Sequence, residues 1–213
     1  GLTFTRAVAI DADFMFTITD KVENRGTSEA RLAPYGIVAR HGLPKLQGTY
    51  VVHEGLVRRT DGTFEEIDYS SFEDFSAAEG QGFANKTSAT TDGWIGFTDH
   101  YWMTTLIPEQ GEPWQSVEKF TPKGSSDFEI YQVEVRHDVI AIAPGAATEV
   151  TTYLYAGAKE WDTIKAYETN NGIAGFVDSI DWGWFYFLTK PIFAVLHWLH
   201  GMIGNMGLSI IAL

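Results

Sequence analysis

Cysteine is missing from the chain altogether, which excludes disulfides, thiolate nucleophiles and Cys-ligated zinc or iron–sulfur centres. The lack fits an oxidising compartment, where a free thiol is a liability, but does not assign one. Basic residues are scarce too: 15 Lys and Arg stand against 28 Asp and Glu, for a net charge of -13. A surface of that sign repels phosphate backbones, so nucleic acid is not expected as a partner. Acidity selects no other ligand, since it also serves solubility. No internal repeat or low-complexity tract occurs. The chain opens at Gly1 with neither Met nor a basic-then-apolar leader, and is expected to be cut from something longer.

What is present is a folded body. With 213 residues, 45% of them apolar and 20% charged, the chain can bury the core of one large domain, with or without an appendage. From Leu2 to Val22 apolar side chains recur mostly at every second position, as at Phe14, Phe16 and Ile18, and Asp11-Ala12-Asp13 interrupts them. That spacing predicts a β-hairpin. Strand-like runs follow at Tyr35 to Ala39, Thr49 to Val57, Phe64 to Ile67, Gly93 to Leu106, Phe128 to Val135 and Glu149 to Tyr155. Between them stand turn signals such as Asn24-Arg25-Gly26, Asp61-Gly62, Asp92-Gly93 and Pro144-Gly145. Closely spaced strands with such turns predict a mainly β, antiparallel sandwich over residues 1–171. One short helix is expected around Ala158 to Glu168, with Trp161, Ile164 and Lys165 on one face.

Beyond Asn170-Asn171-Gly172 the composition changes: from Trp182 to Leu213 Lys190 is the sole formally charged side chain. Residues 172–181 are therefore expected as a linker and 182–204 as an amphipathic helix. At about 100° per residue, Leu188, Ile192, Val195, Leu196, Leu199, Met202 and Ile203 share one apolar arc. Thr189, Lys190, His197 and His200 fall opposite. Pro191 is expected in the first turn, where its missing N–H is harmless. Trp182, Trp184, Tyr186 and Trp198 add rings with a polar handle, and with Phe185 they complete a membrane-interface set. The alternative is an ordinary amphipathic helix packed on a soluble core.

Gly204-Asn205-Met206-Gly207 can break this helix, and Leu208, Ser209, Ile210, Ile211, Ala212 and Leu213 then run apolar to the end. A spanning helix needs about 20 residues, so 205–213 is expected to be the start of a transmembrane segment rather than a whole one.

The same residues carry a family resemblance. Trp182-Gly183-Trp184-Phe185, Lys190-Pro191-Ile192-Phe193, His197-Trp198-Leu199-His200 and Gly204-Asn205-Met206-Gly207-Leu208-Ser209-Ile210-Ile211 resemble the segment leading into the second transmembrane helix of the bacterial YidC membrane-protein insertases. In the body, Gly93-Trp94-Ile95, Asp99-His100-Tyr101-Trp102 and Tyr153-Leu154-Tyr155-Ala156-Gly157 resemble that family's large periplasmic domain. The likeness is weak over Gly42 to Lys86 and strong from Asp92 onward.

The resemblance implies a β-supersandwich, similar to sugar-binding and mutarotase-like folds, on the periplasmic side of the bacterial inner (cytoplasmic) membrane. It implies nascent membrane-protein clients, the lipid bilayer and Sec translocon components as partners. It implies no cofactor and no catalysis, because insertases of this kind work through a hydrophilic groove in their transmembrane bundle. The resemblance implies that the Arg the family carries in that groove is to be expected beyond Leu213.

A rival from another class is a membrane-anchored carbohydrate-binding or mutarotase-like envelope domain. It would need a His and a carboxylate facing one cleft. His53, Glu54, His100, Glu118 and His137 are available, with no spacing that supports the idea. His197 and His200 are spaced to share a metal, but no carboxylate stands near them in sequence. The acidic stretch Glu65 to Glu79, with Tyr69, Phe72 and Phe75 interleaved, is expected as a long solvated loop, with a docking surface for a translocon partner as the sharper reading.

Overall fold

The computed structural model describes residues 1–44, 52–75, 77–78, 82–124, 127–183 and 185–213. The opening hairpin forms where alternation predicts it, β1 (Leu2–Ile10) pairing with β2 (Met15–Asn24). Asp11 sets its turn: one carboxylate oxygen accepts from the backbone N–H of Asp13 at 3.0 Å and of Met15 at 2.9 Å, satisfying donors that the tight reversal would otherwise leave unpaired. Next come β3 (Ala30–Leu32), β4 (Tyr35–His41), β5 (Gly55–Thr60), β6 (Thr63–Asp68), β7 (Ala77–Ala78) and β8 (Gly82–Ala89). Then follow β9 (Gly93–Thr98), β10 (Trp102–Pro108), β11 (Trp114–Thr121), β12 (Ile130–His137), β13 (Ile140–Ile142) and β14 (Ala147–Ala158).

These build a seven-stranded sheet in the order β1-β2-β14-β10-β9-β5-β6 and a five-stranded sheet in the order β4-β12-β11-β8-β7, with β13 and β3 as a separate ribbon. Pairing within them is antiparallel. The two sheets face each other across a core that includes Leu56, Ile95, Phe97, Leu106, Phe120, Tyr131 and Val133, as the expected sandwich requires. A second core lies on the other face of the larger sheet, where Met15, Val57, Trp94, Met103 and Tyr155 meet Ile164, Tyr167 and Phe176.

Several expected boundaries move, each for a physical reason. The run Gly93 to Leu106 is two strands, not one: Asp99 N–H donates to Trp102 O at 2.8 Å and reverses the chain. β9 is buried along its whole length and β10 along most of it, because both lie inside the sheet with a core on each side. Such strands lack alternation, and the reversal between them is hidden. The strand expected over Thr49 to Val57 runs instead from Gly55 to Thr60; residues 45–51 lie outside the described residues. Its end was obscured by Arg58, a charge buried in a strand.

The acidic stretch Glu65 to Glu79 is not a long solvated loop. Through Asp68 it is β6, and Tyr69–Asp74 then forms a 3₁₀ turn that drives Tyr69 and Phe72 into the sandwich core. Phe72 meets Tyr131 edge-on at 5.3 Å and Tyr69 stacks on Phe97 at 5.9 Å. The exposed carboxylates and buried rings of this stretch are two faces of one turn, so its aromatics are not a docking surface. Residues 76 and 79 lie outside the described residues.

Asp61, at φ 47°, ties two loops together. Its carboxylate accepts from the backbone N–H of Thr90 (2.8 Å), Thr91 (2.9 Å) and Asp92 (3.3 Å), and these bonds hold its pKa below the ordinary aspartate range. A depressed pKa contributes stability that is full above the unfolded-state value and fades as pH falls toward the folded one. Asp61→Asn should therefore be less stable than wild type at pH 7, and the gap should begin to narrow only below about pH 4 and go on narrowing as pH falls further. Urea unfolding across that range checks it; a constant gap would place the effect in the turn backbone instead.

Candidate functional site

After β14 the chain forms α1 (Trp161–Asn170), a 3₁₀ turn over Phe176–Ser179, α2 (Tyr186–Ile203) and α3 (Met206–Ala212). α1 starts three residues later than expected, and its buried face is Ile164 and Tyr167, while Lys165 pairs with Glu168 in solvent. Residues 172–181 connect body to tail and pack on the body as they do so. Gly175, at φ 57°, lies against the Arg59 side chain where a Cβ would stand 2.2 Å from Nε. This lets Ile173, Phe176 and Val177 enter the second core.

α2 begins at Tyr186, so Pro191 sits in its second turn rather than its first. There it removes the N–H that would bond the carbonyl of Phe187. At the other end Gly204 adopts φ 69° and donates its N–H to His200 O at 2.7 Å, ending the helix as a left-handed C-cap. Asn205 then caps α3, its side-chain oxygen accepting from Leu208 N–H at 3.1 Å. Gly207 follows in the first turn and Ser209 is buried, donating to Asn205 O at 2.9 Å. Leu208, Ile210 and Ile211 are exposed. No helix among the described residues is long and apolar enough to cross a membrane.

The two faces of α2 have opposite roles. The face opposite the apolar arc docks on the body. Phe193 enters an aromatic joint with Trp161 at 5.1 Å and Trp182 at 5.5 Å, and those two rings meet edge-on at 5.3 Å. Thr189 Oγ1 donates to Trp182 O at 2.8 Å. His197 Nε2 lies 2.8 Å from Asp162 Oδ1, so the carboxylate missing nearby in sequence is supplied by α1. Lys190 pairs with Asp178, which also faces Arg59 at 3.9 Å, and Arg59 bonds Asp92 at 2.6 Å. A chain of alternating charge thus runs from β5 to the tail. Nearby, Asp181 accepts from His53 N–H at 2.5 Å. Lys159, its pKa lowered by burial, donates to Thr98 Oγ1 at 2.9 Å.

The apolar arc points away from all this. Leu188, Ile192, Val195, Met202 and Ile203 are 40–68% exposed, Leu196 and Leu199 are half-buried, and Phe185, Pro191 and Trp198 are exposed as well. Trp182 stands apart from the rest of the predicted interface set: its indole N–H donates to Val177 O at 3.0 Å and its ring closes the joint. Trp184 lies outside the described residues. Sequence reading missed Phe193, Trp161 and Asp178 as joint residues. The repeat of Thr189, Phe193 and His197 at four-residue spacing was the available signal for a second, body-facing stripe.

The groups weighed for sugar chemistry do not converge. Glu118 is buried inside the sandwich on Arg58 at 2.8 Å, and His53 sits at the root of the tail on Leu56 O at 3.0 Å. His137, pushed down by burial, faces the opposite end of the smaller sheet, beside Pro34.

The family model described as the YidC periplasmic domain matches residues 1–195. The protein named membrane protein insertase YidC of Cereibacter sphaeroides (strain ATCC 17029 / ATH 2.4.9) is 52% identical over 224 residues, covering 100% of this chain and 35% of that protein. Its namesake in Paracoccus denitrificans (strain Pd 1222) is 52% identical over 213 residues, covering 100% and 33%. The chain thus spans about a third of the length of the curated relatives it matches. Among solved structures, a galactose mutarotase related enzyme from Lactobacillus acidophilus overlays with a TM-score of 0.47 at 9% identity, over 73% of this chain and 61% of that one. An antiparallel sandwich with a family match over nearly its whole length, and relatives half identical to it throughout, makes this chain a member of the YidC periplasmic-domain family.

Proposed function

We propose that α2 lies in the plane of a membrane surface with its apolar arc in lipid, and that the joint at Trp161, Trp182 and Phe193 holds the β body against it from the aqueous side. The observation that carries this reading is the division of α2 into a docked face and an exposed apolar one. A helix that only closed a core would bury the greasy arc and expose the polar one. This helix does the reverse, as an interfacial helix must. α3 then leads from the surface toward the bilayer interior, as the start of a spanning segment at 205–213.

In the parent protein the body serves as scaffold and partner-contact domain in the periplasm. The whole inserts and helps fold inner-membrane proteins, alone or with the Sec translocon. Support for this comes from relatives named membrane protein insertase that match the chain end to end.

The test is flotation of the chain with liposomes. Leu196→Glu together with Leu199→Glu should reduce bound protein about 100-fold or more, because two leucines lose burial worth roughly 1.5–3 kcal/mol each and two charges must enter lipid. Flotation equal to wild type would sink the reading.

A further inference from the structure

Three large rings stand in solvent where the body passes into α1: Phe14 at 53%, Tyr101 at 67% and Trp102 at 61% exposure. All three flank the end of β14. Phe14 O accepts from Ala156 N–H at 3.3 Å, Trp102 pairs in register with Ala158, and Tyr101 O accepts from Lys159 N–H at 2.9 Å. From there the chain runs through Glu160 into Trp161, the ring that Phe193 of α2 packs against. The rings are therefore fixed to the root of the joint that carries the tail.

Two of the three have contacts that hold them in place. Phe14 has φ 70°, an outlier for a bulky residue, and such conformations persist where the surroundings enforce them. Here Asp11 closes the turn and accepts from Tyr167 Oη of α1 at 2.7 Å. Tyr101 packs edge-on against His100 at 4.1 Å. Exposed Tyr and Trp present an apolar body with a polar tip, the chemistry that settles at headgroup depth.

We propose that Phe14, Tyr101 and Trp102 form a second membrane-contacting rim, which rests on the headgroups when α2 lies in the interface and so fixes the tilt of the body. This rests on the reading of α2 given above. The charges around the rim are Asp11, Asp13 and Glu160, with Asp99 paired to Arg40 at 2.8 Å, while Lys159 is turned inward onto Thr98. Its surface is therefore a zwitterionic one, and anionic lipid weakens the contact.

The absence of cysteine makes the test direct. Tyr101→Cys and, separately, Met202→Cys on the apolar arc of α2 each carry one environment-sensitive fluorophore. Each is then mixed with phosphatidylcholine vesicles containing nitroxide-labelled lipid. Blue shift and quenching at both positions, weaker at position 101 when anionic lipid is added, is the expected result. A response at position 202 alone overturns the rim and leaves the α2 reading intact, assigning the rings to a protein partner. Silence at both overturns both, and a response at position 101 alone overturns their coupling. In unlabelled protein, Tyr101→Ser with Trp102→Ser should lower vesicle binding roughly tenfold, as loss of two interfacial rings implies, with unchanged thermal stability. Unchanged binding would count equally against the rim.

Discussion

Arg58→Ala should destabilise the body by about 3–5 kcal/mol, the range found when one partner of a buried ion pair is removed. Arg58 is a β5 residue whose guanidinium lies between the sheets, bonding Glu118 at 2.8 Å and Glu65 at 2.5 Å, with Ser116 at 3.3 Å. Glu118 is fully buried, and its second carboxylate oxygen has no hydrogen-bond partner among the described residues. Burial raises its pKa even with Arg58 beside it. Without the arginine the carboxylate is stranded in a hydrophobic core and is pushed higher still.

The sign of the pH effect follows. When the folded pKa of an acid lies above its unfolded value, the folded state binds more protons in between, and stability falls as pH rises through that window. The deficit of Arg58→Ala should therefore shrink on acidification from pH 8 to pH 5. Arg58→Met combined with Glu118→Met should recover most of the loss, since an apolar pair of similar volume leaves no unpaired charge. Urea unfolding of wild type and the two variants at both pH values checks this; a deficit independent of pH would mean that packing, not the stranded charge, sets the cost.

Phe176→Ala should cost a similar amount, about 3–5 kcal/mol, through the cavity it leaves. Its ring is fully buried and meets Trp94 and Tyr155 edge-on, at 5.7 Å each. The effect should also be directional. Phe176 anchors the short turn in which Val177 O receives the Trp182 indole and Asp178 receives Lys190. Hydrogen exchange should therefore quicken along 176–190 more than in the sandwich core. Met202→Ala, on the exposed arc, should stay within about 0.5 kcal/mol of wild type. Equal stability losses in the two variants would contradict this division between buried joint and exposed arc.

The division of α2 was half legible in sequence. Its apolar arc follows from periodicity alone, and the structure leaves that arc exposed. The docking face was not legible, because Phe193 and His197 acquire meaning only from Trp161 and Asp162, which belong to another helix. Trp182 misled for the same reason: an indole with a free N–H looks interfacial until a carbonyl at Val177 claims it. Tyr69 and Phe72 were hidden by their acidic neighbours: a 3₁₀ turn brings side chains three apart onto one side, and two rings in a six-residue turn are too few to show a period.

Alternation, turn chemistry and the loss of charge after Trp182 were enough, without coordinates, to determine an antiparallel sandwich followed by an amphipathic tail. These are local properties, fixed by the repeat of strand or helix and by the backbone freedom of a few residues. Tertiary structure alone decided how many strands share the run from Gly93, why Arg58 and Glu118 can sit in a core, and which face of α2 meets the body. Each of those depends on a partner far away in the chain, and a charge or a ring is stable in a buried place only when that partner arrives to meet it.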